Sequence, residues 1–136
     1  MKMMLRAPGR FLIPSVLAVL FSLPVTAATP LAVHIHGEKA MFQVLISPGR
    51  VGSDNFVLQL MNGEGALLAV REATLTLNPP DAGAAPLTRR ATKGADGYWH
   101  VDDVLLPSGG RWHLRIDAVT PFQTITLEDE FDVPVQ

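Results

Sequence analysis

The sequence predicts an all-β chain, and three observations carry that expectation. Beyond residue 30, apolar and polar side chains alternate with the period of two that one-face-buried strands require. Clusters of Pro, Gly and Asn-Gly interrupt the alternation about every ten residues. No stretch outside the N-terminal segment sustains the helical period of about 3.6. Some seven short strands at this spacing predict a single immunoglobulin-like antiparallel β-sandwich.

A targeting segment precedes the strands. Lys2, Arg6 and Arg10 make a positive start, and residues 11–25 are apolar apart from Pro14, Ser15, Ser22 and Pro24. Val25-Thr26-Ala27 then offers small residues for cleavage, the pattern of a secretory signal. The stretch is shorter than a membrane span of about 20 residues and is broken by proline. The expected division is a signal peptide over 1–27 and a β-sandwich domain over 28–136, which places the mature domain in the periplasm or outside the cell. The leader carries three basic residues and no acid, so the remainder is more acidic than the whole chain's net charge of −2. Such a surface argues against a nucleic-acid partner.

The strands follow in order. Residues 31–36 form the first and 40–47 the second, with Phe42, Val44 and Ile46 on one face and Met41, Gln43 and Leu45 on the other. After the Pro48–Gly52 turn, 55–61 sets Phe56, Leu58 and Leu60 against Val57, Gln59 and Met61. Asn62-Gly63 is a hairpin signal, because both residues tolerate positive φ. A strand over 66–77 follows, then a proline-rich loop over 79–86 that cannot sustain a ladder. Residues 87–92 form a weak edge strand, to which the exposed charges of Arg89 and Arg90 are suited. Residues 98–101 make a strand, and 105–107 approach the next turn. In 111–118, Trp112, Leu114, Ile116 and Ala118 face one way and Arg111, His113, Arg115 and Asp117 the other. The last strand lies within 122–133. Trp99 and Trp112 are expected in the core, as large aromatic anchors.

Cysteine is absent, so neither disulfides nor thiolate ligands are available and stability rests on packing. Any metal site must use His, Met, carboxylates or backbone groups. Two of the four histidines and one of the five methionines fall within residues 34–41, as His34, His36 and Met41. Residues two apart on a strand lie on one side, about 6.5 Å apart at Cα. If the chain turns at Gly37 and Glu38, Met41 faces back toward them. Imidazole and thioether together suit copper. The alternative is that the histidines face solvent on an edge strand and bind nothing. His100 and His113 join such a site if their strands neighbour the first; otherwise they are ordinary sheet positions. Glu128, Asp129, Glu130 and Asp132 lack the spacing of a calcium loop and read as a charged edge that resists strand pairing. No nucleophile, phosphate-loop or zinc-protease motif is present, so no enzymatic activity is expected.

Several motifs in order resemble one bacterial family. These are His34-Ile35-His36, Lys39-Ala40-Met41, residues 46–52 (ISPGRVG), Asn78-Pro79-Pro80, Gly97-Tyr98-Trp99, residues 106–112 (LPSGGRW) and Phe122. The chain resembles the extracytoplasmic domain of CopD-type copper transport proteins, including CopC–CopD fusions, and more loosely the YtkA-like and FixH-like domains. The resemblance implies an immunoglobulin-like sandwich outside the cytoplasm with a role in copper homeostasis. It implies a copper ion as cargo, His36 and Met41 as ligands with His34 beside them, and a membrane copper transporter as partner. The sequence departs from the family in lacking an acidic residue just before Phe122 and the fused transporter. The other expectation is a protein-interaction or assembly module that binds no metal and uses an open sheet edge.

Overall fold

A computed structural model describes residues 29–135. The signal peptide expected over 1–27 lies outside the described residues. All the regular structure described is strand, with no helix: β1 (Leu31–His36), β2 (Ala40–Ser47), β3 (Gly52–Asn62), β4 (Glu72–Asn78), β5 (Leu87–Arg90), β6 (Thr92–Lys93), β7 (Trp99–Leu106), β8 (Gly110–Val119) and β9 (Thr124–Val133). Two antiparallel sheets form, a five-stranded one in the order β1-β2-β3-β7-β6 and a four-stranded one in the order β5-β4-β8-β9. The β-sandwich expected from the alternation is therefore present, with nine strands rather than about seven.

The core lies between the sheets and follows from the alternation. Phe42, Val44 and Ile46 of β2, Phe56 and Leu58 of β3, Leu75 and Leu77 of β4, and Leu114 and Ile116 of β8 are all fully buried. Trp112 and Trp99 are buried as expected, and the Trp112 indole N–H donates to the Ser108 carbonyl at 3.0 Å. Phe56 meets Phe131 of the opposite sheet edge to face, with centroids 6.3 Å apart.

β3 begins at Gly52 rather than at 55, because Gly52, Ser53 and Asp54 pair with Leu106, Leu105 and Val104 of β7. Three further departures from the expectation each have a physical reason. The stretch 66–71 does not belong to β4. Its start folds back on β3, with Leu68 N–H donating to Leu60 O at 2.9 Å, before the chain crosses to the other sheet. The turn before it uses Gly65, not Gly63, at positive φ (88°), and the Asn62 side chain accepts from Glu64 and Ala66 N–H. Residues 87–92 are not one edge strand. β5 pairs with β4 in one sheet and β6 with β7 in the other, and the chain changes sheets at buried Ala91. Finally, β7 runs unbroken through 102–104. Between Val101 and Val104 it sets two residues against the single Asn55 of β3, and this bulge, with Asp103 at φ 55°, interrupts the alternation there.

Candidate metal centre

The β1–β2 hairpin positions the predicted residues. Its loop is Glu38-Lys39, closed by Gly37 N–H donating to Ala40 O at 2.8 Å. Gly37 is not in the left-handed region. It sits against β9, where a Cβ at residue 37 would lie 2.6 Å from Leu127 Cδ2 and would push that side chain aside. The hairpin register then pairs His36 with Met41 and His34 with Gln43. Val33 and Ile35 turn into the core, so His34 and His36 both stand on the outer face of the five-stranded sheet.

Hydrogen-bonded and non-hydrogen-bonded rungs alternate along an antiparallel pair. The 37–40 rung is hydrogen-bonded, so His36 and Met41 occupy the next, non-hydrogen-bonded rung, where side chains approach more closely. His34 lies diagonally across from Met41, within reach of long side chains. The fold thus brings His34, His36 and Met41 side by side on one face. The row extends into β3, whose register sets Met61 opposite Met41 and Gln59 opposite Gln43. Met61 carries no signal as a single residue; its place emerges once the outward faces of β2 and β3 are aligned. Both methionines are half-buried, while His34 and His36 are exposed.

The other two histidines stand elsewhere. His100 belongs to β7, and β2 and β3 separate it from β1, a gap of about 14 Å at ordinary strand spacing. Its Nε2 meets the Asp96 carboxylate at 3.0 Å. Hydrogen bonds from Tyr98 N–H and the His100 ring hold the Asp96 carboxyl below its ordinary range. His113 lies on the opposite sheet, with Nε2 2.9 Å from Glu128 and Nδ1 3.4 Å from Asn78 Nδ2. Among the described residues no group of three or more His, Asp or Glu gathers in a way that could hold a metal ion. The acidic stretch of β9 lies on the edge of its sheet and is bridged to β8. Arg111 Nε donates to Asp132 at 3.0 Å, raising the Arg111 pKa and holding the Asp132 carboxyl below its ordinary value, and Arg111 also lies 3.6 Å from Glu130.

The chain is similar in fold to FetP. The crystal structure of that protein, from uropathogenic E. coli strain F11 and expressed recombinantly in the periplasm of E. coli BL21(DE3), aligns with a TM-score of 0.59. The alignment covers 79% of this chain and 96% of the FetP chain at 10% identity. At that identity the similarity to FetP is one of fold, and residues are not carried across. No protein-family model matches the chain, and no curated protein does.

Sequence reasoning missed one buried group, Asp54, which is 1% exposed. Its Oδ1 accepts from Gly49 N–H at 2.6 Å and Arg50 N–H at 3.2 Å, closing the turn between β2 and β3. Extending the inward run Phe56, Leu58, Leu60 backward by two residues would have found it.

Proposed function

We propose that this protein is an exported, non-enzymatic copper-handling domain. It binds copper reversibly through His34, His36 and Met41 and passes it to a membrane copper transporter. The observation that carries this reading is the His36–Met41 rung with His34 beside it. Imidazole nitrogen and thioether sulfur are copper ligands, and a chain without cysteine offers no thiolate to trap the ion. The two imidazoles are exposed on β1, an edge strand. An incoming ligand from a partner can therefore approach an ion held there and displace one donor at a time, as a carrier requires. Export follows from the leader pattern and accords with the periplasmic expression of FetP. The resemblance of the motif order to CopD-type domains supports the choice of a copper transporter as partner.

The test uses the full-length chain, exported from its own leader and recovered from a bacterial periplasm. Isothermal titration with Cu(II), and with Cu(I) under reductant, is expected to show saturable binding. His34→Ala/His36→Ala/Met41→Ala is expected to lose it while keeping the wild-type circular dichroism, since all three side chains point away from the core. Equal binding by the variant, or none by the wild type, sinks the copper assignment at this site.

A further inference from the structure

We infer that Met61 is a further copper ligand, and that the row His36–Met41–Met61 makes the site selective for Cu(I). The inference rests on the copper reading and specifies its oxidation state. Three observations carry it.

The first is register. His36 opposes Met41 and Met41 opposes Met61, so three adjacent strands present one nitrogen and two sulfur donors in a line on the same face. The line spans two strand spacings, about 9.6 Å. Flexible arms from both ends can meet above the central residue.

The second is composition. The chain has five methionines, Met1, Met3, Met4, Met41 and Met61. The two beyond the leader stand directly opposite each other, next to one of the four histidines. Methionine has no advantage on a partly exposed strand face, where β-branched and aromatic residues fit better. Packing alone does not call for this pair.

The third is the contrast between neighbouring rows. The next outward row is His34, Gln43 and Gln59, which offers nitrogen and oxygen. On the other side of Met61, exposed Leu67 forms a backbone bridge with it and continues the row with an apolar residue. The sulfur-rich row suits Cu(I), which prefers soft donors. Cu(II) prefers tetragonal nitrogen and oxygen coordination, and the imidazoles of His34 and His36 supply its nitrogens. Met61 therefore contributes to Cu(I) affinity and not to Cu(II) affinity.

The experiment is competition for Cu(I) against bicinchoninic acid under anaerobic reducing conditions, paired with Cu(II) titration. The full-length chain, exported and processed, is compared with Met61→Leu and with His36→Ala/Met41→Leu. Met61→Leu is expected to weaken Cu(I) binding at least about tenfold, the lower end of the cost of losing even an indirect partner of a metal ligand. Its Cu(II) affinity is expected to match wild type. X-ray absorption of the Cu(I)-loaded wild type is expected to show two sulfur scatterers. With cysteine absent and the leader removed, these can come only from Met41 and Met61. This second measurement decides the matter if Met61→Leu folds poorly. Unchanged Cu(I) affinity in Met61→Leu, with loss in His36→Ala/Met41→Leu, or a single sulfur scatterer in the wild type, overturns the role of Met61 and leaves the copper reading standing. Equal or absent binding in all three proteins overturns both.

Discussion

Asp54 is the buried charged residue among those described, and a carboxylate removed from water is costly unless its oxygens are paired. One of its oxygens takes two backbone N–H groups of the Pro48–Arg50 turn, while Oδ2 has no hydrogen-bond partner. The residue therefore acts as a clamp. It holds the turn that delivers β3 to its register with β2, on which the Met41–Met61 pairing depends. Hydrogen bonds to a charged group are worth about 1.5–3 kcal/mol. Asp54→Ala strands the two donors and leaves a small void, so urea unfolding should show a loss of about 2 kcal/mol. An unchanged midpoint would mean that the turn closes without the carboxylate.

At the scale of elements, the informative case is the passage from β5 to β6. Ala91 is buried and its N–H donates to Ala73 O at 2.9 Å, while the residues on either side pair into different sheets. Ala91 is 7% exposed and belongs to the packed core, so a leucine there has to displace close-packed neighbours. Ala91→Leu should therefore cost about 1–3 kcal/mol by overpacking, whereas exposed Thr92→Leu should stay within about 0.5 kcal/mol of wild type. Thermal unfolding of the two variants distinguishes a packed crossover from a loose edge, because a loose edge would tolerate both. The same crossover marks where sequence reading runs out. Neither Gly nor Pro marks residue 91, so the change of sheet left no punctuation and 87–92 read as one strand. The bounds of β1 and β2 were legible, because alternation and the Gly37 turn coincide there, and the hairpin by itself sets His36 beside Met41. Met61 was legible as an outward position but not as a neighbour, since that requires the register between β2 and β3. Alternation put His113 on the outward face of its strand, but it could not assign that strand to the second sheet or place His100 two strands beyond β2.

Charge acts on the whole molecule through the two outer faces, which are built differently. The face that carries the histidines and methionines leaves His34 and His36 exposed, whereas the opposite sheet ends in the acidic strand β9, bridged to β8 by Arg111 and His113. Carboxylates at an edge discourage pairing with another chain, and these also link stability to pH. Asp132 has its pKa lowered from 3.8 by the hydrogen bond and charge of Arg111, and Asp96 is lowered by Tyr98 N–H and His100. A carboxyl whose folded pKa is depressed releases its proton more readily in the native state. Its contribution is therefore complete above the unfolded value and is lost as pH falls through the folded one. The wild type should accordingly lose thermal stability as pH drops below 3.8, the ordinary value for both groups. Asp132→Asn removes one of the responsible carboxylates. Its melting temperature should lie below wild type at neutral pH, and the gap should close as acid protonates Asp132 in the wild type. Because Arg111 and Asp132 are both solvent-exposed, salt should shrink the neutral-pH gap as well. A gap that persists undiminished in acid would show that Asp132 supports the fold through its shape rather than its charge. A gap unaffected by salt would point the same way.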